Sequence, residues 1–292
     1  MSHTTTQPSV TPAATGRGRM RRPRASGDRT RDGRTTFWHS LRAEWIKIRT
    51  MRSTLFLVLG TLTFTIGLAS LSGSAAGSDF ASMSRADREA FDPLATSLRG
   101  YLLAQIALGL LGGLAITSEY GSRTIVPTLT SVPHRARVLA SKAVVLVGVA
   151  LPVGITVTLA GFLAGQTALS GAGAPHLALT DGVALRGIVG GGMYLALAGL
   201  FGLALGTMIR STTATVTTLF GVMLIVQAFA PALPGRMGDW VSAYWPPIAG
   251  GQIVTSVRDP ELLGPWAGLG VMAGCVTLLT AAAFVVFRRR DA

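Results

Sequence analysis

Side-chain catalysis needs nucleophiles, acids and bases that can meet, and this sequence offers few of them. Its four histidines (His3, His39, His134 and His176) are far apart, and its one cysteine, Cys275, sits in an apolar run. No Cys/His spacing matches a metal site, and a lone cysteine closes no intrachain disulfide. A G-x-x-x-x-G-K-[ST] phosphate loop is absent. No catalytic residue, metal or cofactor is therefore expected. Two kinds of polar position remain. Gln105 and Gln227 lie well inside apolar runs, where a carboxamide either bridges helices by a hydrogen bond or lines a pathway. The segment 116–125 holds Glu119, Tyr120, Gly121, Arg123 and Thr124 together. Opposite charges, an aromatic and a glycine-permitted turn are ordinary ingredients of a protein–protein contact. They also suit a solvated loop in which Glu119 marks the edge of a membrane helix.

The elements that must position these residues are set by composition. The chain is 49% hydrophobic and 13% charged, with a mean hydropathy of +0.48. A soluble domain carries about 25% charged residues, so lipid must cover part of this surface. Crossing about 30 Å of hydrocarbon takes about 20 apolar helical residues. Charge-free windows of that size place six transmembrane helices at roughly 54–72, 100–118, 143–165, 187–209, 211–235 and 262–287. The expected fold is all-α. The first window is no cleaved signal peptide, because more than fifty residues precede it.

Residues 1–36 are polar, rich in Thr, Pro, Gly and Arg, and lack apolar periodicity. They read as a disordered basic tail. Such a tail either binds nucleic acid or skims anionic lipid at about 1 kcal/mol per basic residue. The membrane helix close behind favours lipid, and no nucleic-acid partner is expected. Across 37–52, Phe37, Leu41, Trp45 and Ile48 recur on one helix face, with Arg42, Lys47, Arg49 and Arg52 around the others. That is an amphipathic helix lying in the headgroup plane. Residues 53–292 form the six-span domain.

Basic residues orient the spans. Leaving out the distant tail, twelve Arg/Lys fall on the side of residues 37–53, the 118–142 joint, Arg210 and the C-terminal arginines. Six fall on the other side: Arg85, Arg88, Arg99, Arg186, Arg236 and Arg258. Both termini are therefore expected in the cytoplasm. The Arg-over-Lys bias, with abundant Ala and Gly, matches a GC-rich bacterial coding sequence, hence a bacterial cell membrane.

Small residues four apart (Gly109/Gly113, Gly161/Gly165, Gly187/Gly191, Gly202/Gly206) are expected at close helix crossings. Pro152 is expected to kink the third span. Trp240, Tyr244, Trp245 and Pro246-Pro247 mark either a segment that dips into the outer leaflet and returns, or a surface loop with an aromatic belt. No Asp, Glu, Lys or His lies deep in any expected span, so an ion- or proton-coupled pump is disfavoured.

The run Ser118-Glu119-Tyr120-Gly121-Ser122-Arg123-Thr124-Ile125, followed by Pro133, Arg135, Arg137, Leu139 and Lys142, resembles the cytoplasmic joint after the second span in permease subunits of type-2 ABC exporters. The helix ending Trp45-Ile46-Lys47-Ile48-Arg49 is similar to that family's opening. The resemblance extends over about 37–292 and agrees in the number and order of spans. It implies a homodimer, or a heterodimer with a similar permease. Two cytoplasmic ATPase subunits would dock on Glu119, Tyr120, Gly121, Arg123 and Thr124 and drive export of an unspecified substrate. A secondary transporter and a non-transporting membrane scaffold are the competing readings.

Overall fold

The computed structural model describes residues 32–50, 52–121 and 135–289. In order these form α1 (Asp32–Thr50), α2 (Arg52–Phe80), α3 (Arg85–Glu89), α4 (Pro93–Ser97), α5 (Tyr101–Gly121), α6 (Arg135–Gly171) and α7 (Gly182–Ile209). A composite fifth span follows: α8 (Thr212–Phe220), a π-helical turn (Gly221–Ile225), α9 (Val226–Phe229) and a 3-10 turn (Ala230–Ala232). Then come α10 (Gly235–Tyr244), α11 (Pro246–Gly251) and α12 (Pro265–Arg289). Among the described residues six helices are long and apolar enough to cross a membrane, which makes this an all-α, multi-pass membrane architecture.

Each apolar window predicts the lipid-covered middle of a helix but not its ends. The third span extends from Arg135 to Gly171 because Arg and Lys are good helix formers and carry the helix past the hydrocarbon edge. Pro152 lies inside this helix without ending it. Likewise α1 begins at Asp32, inside the segment expected to be a tail; residues 1–31 lie outside the described residues. On α1, Leu41, Glu44, Lys47 and Ile48 are half-buried, whereas Trp38, Trp45 and Ile46 are exposed.

The bundle is built around α7, whose most apolar stretch is 78% buried against 17% for α2 and 22% for α12. It packs on α5, α6 and α12. Close approach to α5 depends on paired glycines: a β-carbon on Gly112 would run into the Gly199 carbonyl, and one on Gly202 into that of Gly109. Such crossings substitute van der Waals contact for the hydrophobic drive that lipid removes. The α7–α8 turn is tight. Arg210 takes the left-handed conformation (φ 59°) at the end of α7, which costs a non-glycine residue about 1–2 kcal/mol. Ser211 then caps α8 by accepting from the Ala214 N–H.

At the end opposite α1, Asp92 caps α4 by accepting from Ala95 N–H at 2.8 Å. It also accepts from Ser256 N–H (2.7 Å), Ser256 Oγ (2.5 Å) and Val257 N–H (2.9 Å). One carboxylate thus clasps two of the connections at that end.

Candidate functional site

The last turn of α5, the start of α6 and the middle of α1 converge on one ion cluster. Lys142 lies on α6 with its side chain 1% exposed. Its ammonium donates to Glu44 Oε1 and Oε2, both at 2.9 Å, and to Glu119 Oε1 at 2.6 Å. An ammonium has three protons, and all three are used. Lys47, half-exposed on α1, donates to the same Glu119 oxygen. Glu119 Oε2 is buried with no partner. These are the only two lysines in the chain, and both meet at Glu119. The two lysines and two glutamates balance in charge, as they must where several kcal/mol per buried ion would otherwise be lost.

At the next residue of α5, the Arg210 guanidinium lies over the Tyr120 ring at 5.2 Å. A cation over an aromatic face contributes about 0.5–2 kcal/mol, which offsets the left-handed backbone at Arg210. Tyr120 therefore ties the joint to the α7–α8 turn. Gly121 ends α5 exposed, with open space where a β-carbon would be. Arg123 and Thr124 lie outside the described residues. Of the five expected contact residues, then, Glu119 and Tyr120 are engaged within the chain and Gly121 faces outward.

A second polar centre lies in the middle of the bundle. The Tyr194 hydroxyl, fully buried on α7, donates to Gln105 Oε1 and lies 3.2 Å from the Pro247 carbonyl. Gln105 Nε2 donates to the Met223 carbonyl at 3.2 Å. Gln105 thus bridges α5, α7 and the fifth span, the interhelical role open to a buried carboxamide. Gln227 Nε2 donates to the Tyr101 hydroxyl at 3.4 Å, and Tyr101 meets Tyr194 edge-on with centroids 5.7 Å apart.

The π-turn supplies acceptors to this centre. Val226 N–H reaches back five residues to Gly221 O, so the Val222 carbonyl loses its ordinary α-helical donor. The indole N–H of Trp245 donates to it at 3.0 Å. Trp245 stands between α10 and α11, the segment whose aromatics and prolines left two readings open. Here α11 is buried, and Gly250 packs against the Tyr194 ring and Met272. Tyr194 lies twelve residues into α7, about 18 Å along it at 1.5 Å per residue. The chain then climbs back: Ile253 sits on Gly190, and Arg186 donates to the Thr255 carbonyl. A dip into the bundle and a return, rather than a surface loop, matches this path. Arg186 points inward to hold the returning strand of chain instead of snorkelling outward.

Five residues central to these sites escaped the sequence reading as site residues: Glu44, Lys47, Lys142, Tyr194 and Trp245. Signals existed for four. Lys47 and Lys142 are the two lysines of the chain, Lys142 closes the joint motif, Trp245 directly precedes Pro246-Pro247, and the hydroxyl of Tyr194 in an apolar run needs a partner. Nothing local marks Glu44.

Among the described residues no group of three or more His, Cys, Asp or Glu could hold a metal ion. No protein-family model matches the chain, and no curated protein is similar to it in sequence.

Proposed function

We propose that this chain is the membrane-spanning permease subunit of an ATP-driven exporter, with a separate ATPase engaging the joint that follows α5. The observation that carries this reading is the closure of the joint at its root. Glu119, the acidic residue of the joint, pairs in a buried site with Lys142, the last basic residue of the motif. Glu44 and Lys47 bring α1 into the same cluster. A load applied to the joint would thus be passed to α1, α5 and α6 together, and through Tyr120 and Arg210 to the turn between α7 and α8. A decorative surface loop needs no such anchorage, since a buried ion pair stabilises little by itself.

In this reading Gly121, Arg123 and Thr124 meet the ATPase, while Glu119 and Tyr120 act by positioning them. The α1 end of the bundle faces the cytoplasm of a bacterial cell, both termini lie there, and the permease works as a dimer with itself or a similar subunit. ATP is bound and hydrolysed by the partner. An ion-coupled pump is the weaker alternative because the ion cluster sits at one end of the bundle and the mid-bundle centre contains no ionisable carboxylate, lysine or histidine.

The test uses the chain in its own cells. In a Cys275→Ser background, Gly121→Cys should cross-link through a short bifunctional maleimide to a co-purifying, ATP-hydrolysing protein. Asp87→Cys at the opposite end should give no such product. If no ATPase co-purifies with the tagged intact chain under any mild extraction, the exporter reading is wrong.

A further inference from the structure

Beside the ion cluster is a cavity of about 290 Å³, bounded by α1 and the neighbouring ends of α2 and α5. Its walls are apolar, made chiefly by Ile48, Leu57, Leu111, Leu114 and Ala115. Its rim is polar and includes Lys47, Ser53 and Thr54. With α1 lying in the headgroup plane as its sequence leads one to expect, such a wedge falls at the boundary between headgroups and hydrocarbon, where an empty apolar wall would have to be wetted.

The rim has cationic capacity to spare. Among the described residues Lys47 donates to one acceptor, Glu119, whereas Lys142 donates to three. Arg52, next to Ser53, is exposed and makes no ion pair among the described residues; Arg49 is likewise exposed, one turn earlier on α1. The one carboxylate lining the cavity, Glu44, is already held through both oxygens by Lys142. The rim therefore presents cation and hydroxyl to a head whose tail enters an apolar slot.

We propose that this cavity is a binding site for one anionic phospholipid, with an acyl chain between α1, α2 and α5 and its phosphate held by Lys47, Arg52 and the hydroxyls of Ser53 and Thr54. The lipid wedges α1 against the spans and holds the Lys47–Glu119 pair in place. This inference rests on the membrane architecture and not on the exporter reading, so either can fail alone.

The experiment is native mass spectrometry of the full chain, delipidated in detergent and titrated with phosphatidylglycerol or with phosphatidylcholine of the same acyl chains. We expect one phosphatidylglycerol to bind in preference to phosphatidylcholine. Arg52→Gln should weaken phosphatidylglycerol about fivefold, the share of one basic residue near an anionic head, and leave phosphatidylcholine unchanged. Ala115→Phe, which fills the slot, should abolish the bound lipid. Ala107→Phe is the control, since it fills a neighbouring groove lined by Phe56, Gly60 and Leu103, with no ionisable side chain. Should Ala115→Phe fail to fold, a phosphatidylglycerol with a photoreactive acyl chain serves instead, and cross-links to peptides spanning 111–115 are expected. Equal binding of the two lipids, lipid retained by Ala115→Phe as well as by the control, or cross-links scattered over the bundle would each overturn the site.

Discussion

At Lys142 the choice of side chain is chemical. The chain uses arginine at 24 of its 26 basic positions, yet lysine stands where three acceptors converge on one buried point. A compact ammonium donates in three directions; a planar guanidinium is wider and donates in a fork. Lys142→Met should strand the carboxylates of Glu44 and Glu119 and cost about 3–5 kcal/mol, read by denaturant titration in mild detergent. Lys142→Arg should also destabilise, although it keeps the charge, because its fork cannot reproduce the three contacts. A Lys142→Arg variant as stable as the parent would show that charge alone matters here. Glu119 follows the same logic: Glu119→Gln leaves two lysines facing one carboxylate and buries an amide NH2 where Oε2 has no partner, so it too should destabilise.

The fifth span is where element and function diverge most. A uniform α-helix there would bond the Val222 carbonyl to the Val226 N–H, and the Trp245 indole would have to share it. The π-turn at Gly221–Ile225 releases the Val222 carbonyl, and the Trp245 indole and the Gln105 amide fasten α10, α11 and α5 to this turn. Such turns occur often at functional sites. Trp245→Phe keeps an aromatic ring, though a smaller one, and removes the donor, leaving a buried carbonyl unmatched at about 1–3 kcal/mol. Amide hydrogen exchange should accelerate at 221–226 and 246–254, with α2 and α6 unchanged. Uniform acceleration along every span would indicate general loosening and would refute a local clasp.

For the whole molecule, the two ends differ in their chemistry. The α1 end gathers the ion cluster, the joint and Arg210, while the other end is closed by Asp92 and the returning chain after α11. In the proposed topology, the excess of basic residues on the α1 end puts that end in the cytoplasm. With Cys275→Ser as background, Asp87→Cys should react with an impermeant maleimide on intact cells, and Arg137→Cys only after the membrane is opened. Labelling of residue 137 but not of 87 on intact cells would invert the topology.

Six spans, their order and the all-α class were legible because hydrocarbon imposes a length and a polarity that a single window of sequence reports. The tight α7–α8 turn follows from windows that end at 209 and resume at 211, and the small-residue crossings were legible because side-chain size is local. The spacing of Glu119, Tyr120 and Gly121 at the joint could be read, but not what they touch. Lys142 lies 23 residues from Glu119 and 98 from Glu44, and no periodicity links such positions. Whether Gln105 bridges helices or faces a path, and whether 236–264 dips or lies flat, depended on which helices become neighbours. Only the packed bundle decides that, because burial and the pairing of polar groups belong to surfaces brought together from distant parts of the chain.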